Sequence, residues 1–312
     1  MKIGVQTKNA IGDKNPSAGF TMLKEAGLSC CDFSLDSYLR NYDLYQGRLN
    51  SFFDHSAEGL REYFTSHREA ARAAGIEVSQ MHMPYPNYVP RESDELNAYL
   101  RNVVAPKSME ICSFFECPYI VVHGFKLSYY LGSEAAEWER TSDFLEFLAP
   151  LAKEYGITIC IENLYTGLGG HIVEGPCCDA RKAAERIDRM NDKFGAEVLG
   201  FCFDTGHANL VGIDFEDFIV TLGHRLKVLH IHDNDGIMDL HQIPFTFTRS
   251  RENHSSTDWE GFIRGLRRIH YQGNLCFETG PALSAFPDVM KLDVLGFIAR
   301  IGKYFSEEIS LH

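Results

Sequence analysis

No stretch of the 312-residue chain approaches the roughly 18 consecutive apolar residues of a membrane span, and its opening, MKIGVQTKNAIGDKNP, lacks the apolar centre of a signal peptide. The expected location is therefore cytoplasmic, with no membrane partner. The nine cysteines, at 30, 31, 112, 117, 160, 177, 178, 202 and 276, include no CxxC pair and no regular spacing. They read as reduced thiols, and a disulfide-stapled miniprotein is excluded. No GxGxxG turn or P-loop is present, which excludes the common nucleotide-binding folds. Linkers rich in Pro or Ser, low-complexity runs and charge blocks are missing as well, so one domain over residues 1–312 is expected. Basic residues are scarce: 30 Lys and Arg stand against 43 Asp and Glu, a net charge of −13. Such a surface repels polyanions, and duplex binding draws its affinity largely from phosphate neutralisation, so nucleic acid is a disfavoured partner. No Lys/Arg cluster near the last two strand loops marks a phosphate site.

What remains is an ordinary globular composition, 45% hydrophobic and 23% charged, arranged as a repeating alternation. Short β-branched or apolar runs predict strands at 2–7, 29–35, 77–83, 119–123, 158–163, 198–205, 228–232 and 274–279. Between them lie helical patterns such as 56–75, 134–156 and 179–195, with a last one at 287–309, and several end in Gly as helix C-termini prefer. Eight such units predict an α/β fold, a single (β/α)8 TIM barrel.

In such a barrel the chemistry gathers at the C-terminal strand ends. Those ends carry His82 (MHMPY), His123 (VVHG), Glu162 (CIEN), Asp204 and His207 (FDTGH), His230 and His232 (LHIHDND), and Glu278 (FETG). Burying several carboxylates at one mouth is costly unless a cation compensates them, so a bound metal is the economical explanation. HIH places His230 one pleat below His232, where a hydrogen-bonded core histidine is expected. His55, His67, His224, His254, His270 and His312 are expected at the surface.

IEN, FDTGHAN, HIHDNDG followed by DLH, and FETG occur in an order similar to the strand-end signatures of the xylose-isomerase-like barrel superfamily, which includes ketose 3-epimerases, inosose-processing enzymes and endonuclease IV. The resemblance implies that Glu162, Asp204, His232 and Glu278 bind one divalent metal, manganese first, with cobalt, magnesium or zinc as substitutes. It further implies substrate contacts from His82, His123, His207, Asp239 and His241, positions that correspond to the remaining ligands of the endonuclease's three-zinc cluster.

The expected function is a metal-dependent sugar or sugar-derivative isomerase or epimerase. Glu162 and Glu278 would exchange a proton next to a carbonyl while the metal stabilises the enediolate. A related lyase or dehydratase, an endonuclease IV-like zinc phosphodiesterase and a non-catalytic sugar-binding or assembly subunit are the alternatives, and homo-oligomerisation stays open. Loops 37–53, 85–88 and 125–130 are rich in Tyr and Phe, which suit stacking on a small-molecule sugar substrate or packing beneath long loops; Tyr38, Tyr42, Tyr45 and Tyr88 are the candidates.

Overall fold

Eight short strands form one parallel sheet: β1 (Ile3–Gln6), β2 (Cys30–Ser34), β3 (Glu77–His82), β4 (Tyr119–Val122), β5 (Thr158–Glu162), β6 (Leu199–Asp204), β7 (Leu226–His230) and β8 (Leu275–Phe277). The computed structural model describes residues 1–90, 92–127, 131–249 and 254–311, the side chains of 249 and 254 excepted. Hydrogen-bonded neighbours run in the order β8, β1, β2, β3, β4, β5, β6, β7. The seam between β7 and β8 is thin, a single bridge from Ile231 to Phe277. Ile231 N–H donates to Cys276 O (2.9 Å) and Glu278 N–H to Ile231 O (3.0 Å), which brings the barrel almost to closure. Helices cover the outside, so the strands are buried on both faces and read as continuous apolar runs rather than alternating ones.

The longer helices are α1 (Pro16–Glu25), α2 (Ala57–Ala74), α3 (94–114, with a π turn at Leu100–Val104), α4 (Glu134–Tyr155), α5 (Ala180–Phe194), α6 (Phe215–Leu222), α7 (Trp259–Arg268) and α8 (Lys291–Ile309). Local chemistry sets their ends. Ser56 Oγ accepts from Gly59 N–H (3.1 Å) at the start of α2, and Asp179 Oδ1 accepts from the Arg181 and Lys182 amides at the start of α5. Gly75 (φ 69°) and Gly156 (φ 66°) end α2 and α4 in the left-handed conformation that a Cβ disfavours. Among the described residues, no helix is long and apolar enough to cross a membrane.

The main core lies between sheet and helices, where Phe20, Phe33, Phe64, Phe144, Phe201, Phe262 and Phe305 are fully buried. A smaller cluster of Val121, Cys160, Cys202 and Val228 lines the barrel interior, with Tyr119 packed against it. All nine cysteines are free and buried.

Two readings of the sequence need correction. His67 is buried at 2% exposure rather than at the surface, because Leu60, Phe64, His67 and Ala71 follow one another at helical spacing on the inner face of α2. His55, His224 and His270 are exposed as expected, while the side chains of His254 and His312 lie outside the described residues. β7 also begins and ends two residues earlier than the sequence pattern suggests, so that His230, not His232, pairs with Asp204 across the β6–β7 register.

Candidate active site

Each element delivers its side chain for a local reason. Asp204 is the N-cap of the short helix Thr205–Val211, its Oδ1 accepting the His207 amide at 2.7 Å, so D-T-G-H places His207 one turn in and facing back over the mouth. Gly206 has no alternative, since a Cβ there would overlap the His232 ring. Asn163 locks β5 to β6, its Nδ2 donating to Asp204 O and its Oδ1 accepting from Asp204 N–H, both at 2.9 Å. This pair of bonds is what the Asn of IEN contributes.

The structure brings all nine sequence-identified side chains to one place. His123 Nε2 lies 3.0 Å from Glu162 Oε2 and His82 Nε2 lies 3.8 Å from the same oxygen. His207 faces three carboxylates, with Nδ1 at 3.0 Å from Glu162 Oε1 and 3.6 Å from Asp204 Oδ1, and Nε2 at 3.4 Å from Asp239 Oδ2. His241 sits 3.1 Å from Asp239 Oδ2, and its Nδ1 donates to Glu278 O at 3.0 Å. His232 Nε2 meets Asp204 Oδ2 at 3.0 Å while its ring stacks on His241, centroids 4.0 Å apart.

His230 holds the position that the sequence pattern assigned to a core histidine, and it does more there. Its Nε2 donates to Asp32 Oδ2 at 2.9 Å. Its Nδ1 then points at Glu278 Oε2 (3.3 Å), Glu162 Oε2 (3.4 Å) and Asp204 Oδ2 (3.9 Å). The oxygens of Glu162 meet only imidazoles, His123 and His207 at 3.0 Å, and Nδ1 of His230 has no hydrogen-bond partner among the described residues; Glu162 and His230 are both 1% exposed. Three desolvated carboxylates around one imidazole nitrogen repel one another unless positive charge stands between them. The donor set, carboxylate oxygens and one imidazole nitrogen, suits a hard or borderline divalent ion. Side chains from the same cluster also form trios that could each hold an ion: His82, His123 and Glu162; Glu162, Asp204 and His207; His232, Asp239 and His241.

The electrostatics agree with this crowding. Against burial, which opposes charge, His123 and His230 hold Glu162 well below the usual carboxylate range. Glu278 is held at about 2, burial again opposed by His230 and His241. Burial pushes His123 down, whereas for His241 the charges of Glu278 and Asp239 overcome burial and raise it to about 9.

Several contributors escaped sequence reasoning. Asp32 in β2 anchors His230 and also accepts from Gln80 Nε2 (3.1 Å), and Gln6 in β1 donates to Glu278 Oε1. Lys8 pairs with Asp36 at 2.7 Å at the edge of the mouth. The signal was a charged or amide residue inside each of the first two apolar runs. Of the aromatic candidates, Tyr38 is buried and stacked on Phe52 (4.6 Å), as packing beneath a loop requires, and Tyr88 is stacked on Phe125 (5.2 Å). Tyr42 and Tyr45 are exposed. Tyr129 and Tyr130, part of the same expectation, lie outside the described residues.

Residues 20–292 match the family model described as Xylose isomerase-like TIM barrel. Over 185 residues the chain is 29% identical to a protein of Methanoculleus marisnigri named "Probable endonuclease 4", covering 54% of this chain and 60% of that one. Over 91 residues it is 30% identical to the uncharacterized protein y4fM of Sinorhizobium fredii, covering 29% and 27%. The chain thus spans less than two thirds of the length of these curated relatives. Among solved structures, 3-keto-D-glucoside 4-epimerase from E. coli superposes with a TM-score of 0.65 at 16% identity, covering 96% of this chain and 99% of that one. D-psicose 3-epimerase from Clostridium cellulolyticum H10, crystallised with D-tagatose, gives 0.66 at 14%, covering 99% of both. At these identities the likeness shows the fold alone.

Proposed function

The chain belongs to the xylose isomerase-like TIM-barrel family, and from that premise we propose that it is a metal-dependent epimerase or isomerase of a sugar or sugar derivative. The observation that carries this reading is the convergence of Glu162, Asp204, Glu278 and His230 Nδ1 on one buried spot with unpartnered atoms facing inward. We assign the imidazole ligand to His230 in place of His232, whose Nε2 meets Asp204 but neither glutamate. Glu162, Asp204, His230 and Glu278 would hold one divalent ion, with manganese, cobalt, magnesium and zinc all compatible with the donor set. Such an ion supplies positive charge that makes a C–H beside a carbonyl acidic enough to be removed.

The residues then divide the work. Glu278, ionised at neutral pH and steadied by Gln6, would accept a proton from one face of the sugar. Glu162, three strands away on β5, would return one from the other. His207, raised well above an ordinary histidine because Asp204 and Asp239 outweigh its burial, donates to a substrate hydroxyl. His123, whose Nε2 lies 3.0 Å from Glu162, would orient another. Elimination from a keto-sugar or inosose would use the same base and the same proton.

Deuterium incorporation tests the proposal. Manganese-loaded protein incubated with ketoses and inososes in D2O should introduce deuterium next to the carbonyl of at least one, read by NMR. Metal-loaded protein that exchanges none of them would overturn it.

One observation favours a second reading. Ligand-capable side chains grouped in trios resemble a three-zinc phosphodiesterase centre, although the net charge of −13 opposes duplex binding. Three zinc ions per chain together with cleavage of an abasic duplex would establish that reading instead.

A further inference from the structure

The cavity directly over Glu162 and Glu278 measures only about 80 Å³, and it shares Lys8, Ser34 and Asp36 with a cavity of about 460 Å³ over the ends of β1 and β2. Small-molecule sites usually enclose roughly 300–1,000 Å³, so the cluster sits at the narrow end of a longer trough. The trough is built for polar contact. Ser34 Oγ and Asp36 Oδ1 have no hydrogen-bond partner among the described residues, and His67 Nε2 has only the long contact to Asp13 at 3.4 Å, although Ser34, Asp36 and His67 are 2%, 5% and 2% exposed. Buried polar atoms are almost always paired, and unpaired ones gathered along one cavity call for a ligand that pairs them.

The kind of ligand follows from the donors and acceptors. Asp36 keeps one oxygen free while the other pairs with Lys8 (2.7 Å); Ser34 and His67 can each give or take a hydrogen bond. Asp13 extends the row, 3.4 Å from His67 Nε2 and hydrogen-bonded by Tyr38 OH at 2.7 Å. Two cations, Lys8 and Arg40, stand against two anions, Asp13 and Asp36, on the lining. A phosphate would meet both carboxylates, whereas a neutral ring bearing several hydroxyls is matched at every group.

We propose that this trough binds a second, hydroxyl-bearing ring, and that the substrate is a two-ring glycoside whose reacting ring lies over Glu162 and Glu278. The position of the reacting ring rests on the proposed function; the second-ring site does not. It fixes specificity, because a free monosaccharide leaves Ser34, Asp36 and His67 unmatched.

Glucosyl-fructoses with a free carbonyl provide the test. Turanose, maltulose and isomaltulose are compared with fructose and psicose for binding to the manganese-loaded protein by calorimetry, and for deuterium exchange by NMR. At least one disaccharide should bind about tenfold or more tightly than either monosaccharide. His67→Leu and Asp13→Ala should each erase that gain while leaving monosaccharide binding unchanged; Asp13, half-exposed, keeps the test valid if the buried substitution disturbs folding. Equal binding of all five sugars, or a gain that survives in a folded variant, overturns the second-ring site. Exchange on fructose without any disaccharide gain retires the trough and keeps the epimerase reading, whereas a gain without exchange does the reverse.

Discussion

Nε2 of His230 stands 2.9 Å from Oδ2 of Asp32, an oxygen also held by the Gln80 amide at 3.1 Å, and this contact turns Nδ1 of the same ring toward Glu162, Asp204 and Glu278. A carboxylate behind a ligating imidazole fixes its tautomer and orientation, and losing such a partner typically costs 10–100-fold in metal affinity. Asp32→Ala should therefore weaken manganese binding by about 10–100-fold in a calorimetric titration. His230→Ala should abolish stoichiometric binding and His232→Ala should retain it. The opposite order for the two histidines would return the ligand role to His232.

Glu278 provides the second prediction. Glu278→Gln keeps the side-chain volume and can still accept the hydrogen bond from Gln6, but an amide cannot take up the substrate proton. Solvent exchange should fall by about 10²–10⁴-fold, the usual contribution of a general base, in protein whose circular dichroism shows it still folded. Exchange at the parent rate would reduce Glu278 to a structural residue.

The barrel was legible because its strands are buried on both faces, so apolar runs mark them without ambiguity; every strand lies within two residues of where the pattern puts it. The polar residues at six strand ends marked the mouth. What could not be read was which way a given side chain faces near a strand end. The sequence pattern ends β7 at His232 and sets His230 one pleat lower, whereas the observed pairing of Asp204 with His230 sets those two level. Asp32 and Gln6 were hidden for a similar reason: one polar residue in an apolar run looks the same from sequence whether it faces a helix or the barrel axis. The burial of His67 is legible in its helical spacing to Leu60, Phe64 and Ala71, which sets it on the inner face of α2.

The third prediction concerns the packing that carries the mouth. Phe305 on α8 is fully buried and packs against Trp259, Phe262 and Phe277, joining α8 to α7 and to β8 beside the thin seam. Phe305→Ala should cost about 3–5 kcal/mol, the range for emptying a large core site, measured as a shift in urea midpoint. A change under about 1 kcal/mol, as for a surface site, would mean that α8 does not brace the barrel.

The last prediction concerns pH and His67, which sits away from the carboxylate cluster. Burial lowers its pKa from 6.5, and Asp13 at 3.4 Å raises it only partly back. The folded protein therefore binds this proton less readily than the unfolded chain does. By linkage, stability depends on pH wherever the two states differ in bound protons. The contribution of neutral His67 is fully present above about pH 6.5 and is lost as pH falls below that value, until the folded pKa is passed. Unfolding by urea at pH 7.5 and at pH 5.5 should accordingly show a larger loss of stability on acidification in the parent than in His67→Leu, whose side chain has no proton to gain and keeps the apolar stripe of α2 intact. Other groups titrate equally in both proteins, so the difference between the two losses isolates this histidine. Identical losses would mean that His67 takes up its proton in the folded state as easily as in the unfolded one, which the burial of both its ring nitrogens opposes.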